Sequence, residues 1–515
     1  MDITTFVHRD LPFASMMDVL RRLGLDAGAP RSSQHTLLDT ADGRLFAAGM
    51  TLQAIRTSEH VNGAHLQLEQ AGSVPASVAV PAIPRWAHDL PAGALGHRLR
   101  ALLEMRALLP LVTFDVRVFT AVERDAEDRA VATVTVTDEI AVGSPSGPIV
   151  DVPCTVTVVP QLGQPKPAER ISAQLQALGF ELIGSDVLGL VTAAAAVDRR
   201  GIRFEATVSL EPHTPAGAGF RAVLINLLDT IEANWQGTIS DLDTEFLHDL
   251  RVAVRRTRSV IGQAKRVLPE SLRSRYRDDF AWLAGATGPT RDLDAYALEW
   301  PRYVADLSIA GTNALRPVLE HIIRHRHLAR AELVAVLQSE RAHTLLADWR
   351  IALATEPADR PSQADEPLGV ALAKRFRQAH QTVLHQGRLI GSESPAEHLH
   401  DLRKDAKKLR YLVECFATAM PAQLHRRFVK QLKGLQDNLG EHQDAEVHAA
   451  ELTTVAHELG DEFAAHETLL ALGALTERLE QSQRDARTEF TARFAAYDST
   501  HTQRIVDSLI EALEQ

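Results

Sequence analysis

The chain has 515 residues, 67 acidic against 55 basic, for a net charge of −12, and 45% of its residues are hydrophobic. That length holds roughly two to four domains with sizeable cores, and the acidic balance argues against indiscriminate coating of nucleic acid while leaving room for a local cationic groove. The two cysteines, Cys154 and Cys415, are far apart in sequence, which excludes a disulfide framework and fits a reducing cytoplasm. The opening MDITTFVHRD does not read as a signal peptide, and the alanine-rich Val187–Val197 is too short to span a bilayer.

Runs of β-branched residues between turn residues predict strands at Ser77–Val80, Leu111–Phe119, Ala130–Val136 and Thr155–Val159. In VATVTVTDE, from Val131, valine alternates with threonine as in a half-buried strand. Helices are expected at Phe13–Leu23, His97–Leu109 and Glu169–Leu178, giving an α+β pattern with an antiparallel sheet or barrel. Proline and glycine then cluster in SLEPHTPAGAG (Ser209–Gly219), a linker. From Phe220 onward the pattern is helical, with breaks expected at Pro269, Gly285–Pro289, Gly311–Thr312, Glu356–Pro367, Gly391–Pro395, Pro421 and Gly440. The expected division is an N-terminal domain over 1–205, a linker over 206–219 and an all-α domain over 220–515. The last contains repeats of about 220–355 and 368–515, joined by EPADRPSQADEP and folded as two pseudo-symmetric four-helix bundles.

The repeat shows in a basic segment used twice, HDLRVAVRRTR (His248–Arg258) and HDLRKDAKKLR (His400–Arg410), 152 residues apart. The same offset carries Pro269 to Pro421, Leu272 to Leu424, Arg275 to Arg427, Leu283 to Leu435, Gly288 to Gly440 and Asp292 to Asp444 without insertion, so one supersecondary unit is used twice. At about 100° per residue, His248, Arg251, Arg255 and Arg258 share one face with Arg256 on its flank. Leu250, Ala253, Val254, Thr257 and Ile261 take the other. The second copy places His400, Arg403, Lys407 and Arg410 in the stripe, Lys408 on the flank, and Leu402, Ala406, Leu409 and Val413 on the apolar face.

A solvated surface is the ordinary reading of such a face, but no acid lies between Arg251 and Arg266 to pair with these bases along the helix. Each like-charged pair costs a few tenths of a kcal/mol, roughly, which a polyvalent anion would offset. Arg221, Arg275, Arg324, Lys374, Arg377, Arg427, Lys430 and Lys433 either extend this field or are plain surface bases. RHRH (Arg324–His327) has no Cys or acid at metal-ligand spacing, so no metal is expected there. Gly288 and Gly440 read as helix breaks with Asp292 and Asp444 starting the next helix; alternatively, these acids orient the bases.

With TGPTRDLD (Thr287–Asp294), HDLRKDAKKLRYLVE (His400–Glu414) and LQDNLGEHQDAE (Leu435–Glu446) added, the chain resembles the CHAD family, the conserved-histidine α-helical domain, over about 220–515. The resemblance implies two helical bundles around a basic groove or pore that binds inorganic polyphosphate, in some members on polyphosphate granules, without enzymatic activity. Together with the stripes it points to His248, Arg251, Arg255, Arg256, Arg258, Arg275, Lys374, His400, Arg403, Lys407, Lys408, Arg410 and Arg427 as polyphosphate contacts.

CHAD domains often follow a CYTH domain, a tunnel barrel that hydrolyses or cyclises triphosphates, and LLDTADGRLFAAGMTLQAIR (Leu37–Arg56) is similar to that family's DT-x-D-x-x-L-x-x-x-G-x-x-L-R-x-R stretch. The departures are chemical. Ile3–Leu11 lacks the family's alternating glutamates, Gln53 stands for an arginine although Arg56 remains, and His65–Gln70 lacks the usual lysine. Thr155 and Thr157 replace a second glutamate pair, and Lys166 is the one lysine in the first 200 residues. A tunnel holding metal and triphosphate needs convergent carboxylates and bases, so the resemblance implies a degenerate CYTH-like antiparallel barrel with no catalytic residues, metal or cofactor.

The expected protein is a non-catalytic polyphosphate binder, cytoplasmic or granule-associated and without membrane contact, whose N-terminal domain is free to meet a partner protein. The alternative is a triphosphate or polyphosphate hydrolase using the CYTH-like domain with a divalent metal. Nucleic acid is disfavoured because the stripes lack interleaved aromatics apart from Tyr411.

Overall fold

A computed structural model describes residues 3–57, 63–70, 76–142, 149–161, 163–183, 187–201, 208–305, 307, 309–355, 361–460 and 466–515. They form two compact units, Met1–Arg203 and Phe204–Gln515. Residues 206–207 of the expected linker and 356–360 of the expected connector lie outside the described residues.

The first unit is an antiparallel sheet of β1 (Thr4–Val7), β2 (Arg31–Asp39), β3 (Met50–Thr57), β4 (Ala64–Gln70), β5 (Ala76–Val80), β6 (Leu109–Arg124), β7 (Ala130–Val142), β8 (Ile149–Pro160) and β9 (Glu181–Ile183). The strand order is β5-β4-β3-β2-β6-β7-β8-β1-β9. The Val/Thr alternation works as expected. Val134 and Val136 are buried with Phe6, Val156 and Val158 under α1 (Phe13–Arg22) and α4 (Pro165–Ala177), while Thr133 and Thr135 take the other face.

Helix α2 (Arg44–Ala47) is tied to β2 by Asp39, which accepts the backbone N–H groups of Leu45 and Phe46, each at 2.9 Å. The first aspartate of the DT-x-D stretch is thus a local cap. α3 (Ala94–Leu103) stops short of the expected Leu109, because Glu104 adopts a φ of 51° and Leu109 opens β6. α5 (Val187–Ala194) packs on β7 and β8.

The second unit is all-α: α6 (Ala216–Ile239), α7 (Thr244–Gln263), α8 (Glu270–Val304), α9 (Ile309–Ala314), α10 (Arg316–Leu337), α11 (Glu340–Ala354), α12 (Leu368–Arg388), α13 (Ala396–Cys415), α14 (Ala422–Gly460), α15 (His466–Tyr497) and α16 (Thr500–Glu514). The 152-residue offset is structural, since it carries the first residues of α6, α7 and α8 onto those of α12, α13 and α14. The two repeats meet around a pseudo-twofold. Ala216 N–H donates to Glu366 O and, one offset later, Leu368 N–H donates to Thr214 O, both at 2.8 Å. Gly217 N–H to Ala364 O and Gly369 N–H to Pro212 O repeat the relation, again at 2.8 Å. One continuous apolar core runs through both repeats, from Phe220, Leu250 and Phe280 to Phe376, Leu402 and Phe428.

Three expected breaks fall inside helices. α8 runs through Gly285–Pro289 with Pro289 and Pro301 inside it, and α14 runs through Gly440. Proline removes one backbone hydrogen bond, but Tyr276, Phe280, Leu283, Thr287 and Thr290 bury one continuous face of α8, and that packing overrides the local signal. Gly311 and Thr312 likewise fall within α9.

Glycine inside a helix ordinarily gains about 1 kcal/mol on conversion to alanine. At Gly237 the sign should reverse, because a Cβ there would stand 2.0 Å from Phe246 Cδ1, a ring that the core holds in place. Gly237→Ala is expected to destabilise the helical unit by about 1–3 kcal/mol, read from urea unfolding. A stabilised variant would show that α6 and α7 do not approach this closely.

Candidate functional site

The cationic stripes are aimed by the burial of their opposite faces. α7 starts at Asp243, whose carboxylate accepts the N–H of Glu245 at 3.0 Å and of Phe246 at 3.3 Å. Its apolar residues Leu250, Ala253, Val254, Thr257 and Ile261 are buried, as are Leu402, Ala406, Leu409 and Val413 of α13. The polar sides of both helices open into one cavity of about 900 Å³, completed by α8, α14 and α15. His248, Arg251 and Arg255 enter it from α7, Arg403 and Lys407 from α13, Arg291 and Arg302 from α8, and Arg478 from α15. Seven arginines and lysines face four carboxylates, Asp292, Glu299, Glu441 and Asp444, leaving +3 inside a chain of −12.

The acids hold the arginines in matched pairs. Arg251 Nη2 is 3.6 Å from Asp292 Oδ1, and Arg403 Nη2 is 2.8 Å from Asp444 Oδ1. The arginine side chains are 21% and 19% exposed and both aspartates 61%, so the guanidinium groups sit inside and the carboxylates at the rim. Asp292 and Asp444 lie within continuous helices, so orienting the bases, rather than starting a helix, is their geometric role. Gly288 makes room for this on α8, where a Cβ would stand 3.1 Å from Arg251 Nη1. Burial lowers the pKa of Arg251. Lys407 is pushed down to about 8, first by burial and then by Arg403 and Arg255. Two buried donors, Arg291 Nη1 and Arg403 Nε, have no hydrogen-bond acceptor among the described residues.

The remaining candidates are elsewhere. His400 binds Gln443, a cavity residue, through Nδ1. Arg258 and Arg427 are exposed, and Arg258 is about 15 Å along the helix axis from His248 at 1.5 Å per residue, which carries the end of the stripe past the cavity. Arg410 pairs with Glu414, Arg275 with Asp348 and Lys374 with Glu366. Arg256 and Lys408 line two smaller pockets that are themselves repeat-related, with Asn226 and Thr230 in one and Gln378 and Thr382 in the other. Glu414 closes the first by meeting Arg256 at 2.9 Å. Its counterpart in the second is Gly262, and Lys408 turns instead to Asp405 at 2.7 Å.

Arg291, Arg302 and Arg478 were not among the sequence candidates. Arg291 was within reach, because it occupies the repeat position of Gln443, the partner of His400. In the sheet unit, Thr5 and Thr157 hydrogen-bond to each other at 3.2 Å, and Gln53 engages His35 at 2.9 Å.

The depressed Lys407 value has a consequence for folding. The unfolded chain holds this proton more tightly than the folded one, so the unliganded protein should gain stability as pH rises from about 8 toward 10.5. Lys407→Met is expected to be more stable than the parent at pH 7, by on the order of 2 kcal/mol after allowance for screening, with the difference vanishing near pH 10. Tm measured across that range checks it, and a less stable variant at pH 7 would contradict the crowding of charge.

Residues 222–453 match the family model of the CHAD domain. Two uncharacterised Mycobacterium tuberculosis proteins, MT2285 and Rv2226, are each 26% identical over 262 residues, 49% of this chain and 48% of the relative, so the chain spans about half the length of the curated relatives it matches. Among solved structures, the CHAD domain from the plant Ricinus communis is 22% identical and covers 60% of this chain and 95% of its own, with a TM-score of 0.44. PptA from Streptomyces chartreusis is 19% identical over 55% of this chain and 100% of its own, with a TM-score of 0.42. The Hippeastrum protein HpAC1, reported to have a dominant triphosphatase activity, is 11% identical over 38% of this chain and 96% of its own, with a TM-score of 0.27. The helical unit, with its twice-used basic helix facing one cavity, is a CHAD domain and belongs to that family.

Proposed function

We propose that the central cavity of the helical unit binds inorganic polyphosphate and that the protein does so without hydrolysing it. The observation that carries this reading is the pair of buried donors without acceptors, Arg291 Nη1 and Arg403 Nε, set among seven converging cations. Guanidinium forks match phosphate oxygens, and a cavity of about 900 Å³ has room for several linked phosphates. Arg255 and Lys407, repeat mates on the adjoining helices α7 and α13, suit a ligand that is itself a repeating anion.

The sheet unit supports the non-catalytic part of the reading. Where its sequence resemblance calls for glutamates it offers the neutral hydroxyls of Thr5, Thr155 and Thr157, two of which satisfy each other. No helix among the described residues is long and apolar enough to cross a membrane. Residence in the cytoplasm and on polyphosphate granules is part of the proposal, and the sheet unit is then available to a protein partner.

Charge reversal at both Arg255 and Lys407 is expected to weaken binding of long-chain polyphosphate at least tenfold and to flatten its salt dependence, because fewer counterions are released. Reversal of the exposed Arg493 on α15 should change little. Filter binding across a salt series reads both, and equal losses would reduce the effect to net charge. The hydrolase alternative predicts phosphate release from triphosphate with Mg²⁺ or Mn²⁺ that survives the Arg255/Lys407 reversal. No release is expected.

A further inference from the structure

The histidine pair of α10 gains in three dimensions the acid that its sequence neighbourhood lacks. His321 and His325 are one turn apart on one face of the helix, with ring centroids 4.0 Å apart and ring planes tilted by 38°. From α14, in the other repeat, Glu458 brings Oε2 to 2.8 Å from His321 Nε2. One ligating atom from each of the three residues lies within 4.8 Å of the other two. The His321 side chain is only 8% exposed, and its Nε2 faces the Glu458 carboxylate 2.8 Å away. A ring nitrogen and a carboxylate at that separation share a cation, a proton or a metal ion. The three groups border a small, partly open space of about 90 Å³, walled in part by Tyr296, Glu451 and Thr454.

We propose that His321, His325 and Glu458 form a binding site for a divalent transition-metal cation of the Zn²⁺ class. Two imidazoles and one carboxylate suit a borderline ion, whereas Mg²⁺ and Ca²⁺ take oxygen ligands. Zinc bonds of about 2.0–2.2 Å require the three donors to close in slightly. The half-exposed Glu458 can move to allow this, and binding releases any proton held on the coordinating nitrogens. Three protein ligands leave a fourth position for water in the adjoining space.

The ion would join α10 of the first repeat to α14 of the second, within the small apolar cluster of Tyr296, Ile322, Leu452 and Leu475. Tyr296 borders both this space and the cationic cavity, so the ion would brace one wall of that cavity. The site does not depend on what the cavity binds.

The test uses the tag-free full chain, stripped with a chelator and titrated with Zn²⁺ by calorimetry at pH 7.5, with Co²⁺ absorbance to report geometry. One equivalent should bind, with the intense visible bands of four-coordinate Co²⁺, and Mg²⁺ should give no heat at the same site. His325→Ala and Glu458→Gln alter partly exposed side chains and should each weaken Zn²⁺ at least tenfold, whereas His327→Ala, an exposed neighbour outside the cluster, should not. Absence of a binding event, or binding unchanged in both His325→Ala and Glu458→Gln, would overturn the proposal.

Discussion

Four backbone hydrogen bonds around the pseudo-twofold set the geometry on which the helical unit depends. Ala216 to Glu366 and Leu368 to Thr214, with Gly217 to Ala364 and Gly369 to Pro212, bind the entry of each repeat to the segment preceding the other. Such bonds involve no side chain, so sequence can drift around them without moving the axis. Once α6 and α12 are placed, the fixed lengths to α7 and α13 bring both basic helices to the axis with apolar faces in the common core. Their polar faces then have one place to go. The cavity follows from symmetry applied to an amphipathic helix, and the charge inside it follows from which residues that helix carries.

Concentrating like charge has a cost that the rest of the unit must offset. Lys407 registers it directly, its ammonium disfavoured by burial and by Arg403 and Arg255. Asp292 and Asp444 relieve part of it at the rim, and the packed core supplies the remainder. Arg326 on α10 and Arg478 on α15 show two arrangements of an arginine. Arg326 is held by Asp294 and by both oxygens of Asp241, at 2.8 and 3.0 Å, and serves the packing of α10 on α8. Arg478 faces the cavity.

Much of this was legible in the chain because it is carried by period and offset. The phase of His248–Ile261 fixed which side of α7 is apolar, and the unbroken register from His400 to Asp444 announced a second copy of the same unit. What was not legible came from tertiary packing. Gly285, Pro289 and Gly440 carry strong local break signals that buried faces overrule in α8 and α14. The stripe reads as one surface in projection, yet a helix advances as it turns, so Arg258 leaves the cavity while Arg251 and Arg255 remain. Arg302 and Arg478 lie far along the chain from the repeated motif and reach the cavity only through the course of α8 and α15.

The symmetry is strict where the repeats share a core and breaks on the opposite wall. Arg255 faces its mate Lys407, and Arg251 with Asp292 mirrors Arg403 with Asp444. Across the cavity, Tyr296 stands where the other repeat has His448, and Tyr303 where it has Val455. The twofold character of the cationic surface rests on the first set. Tyr303 hydrogen-bonds His448, and His321 meets Glu458 at 2.8 Å, both between repeats, so these residues join the two repeats at the wall. Duplication supplied the cationic surface of the cavity in matched halves, and contacts that differ between the repeats join them.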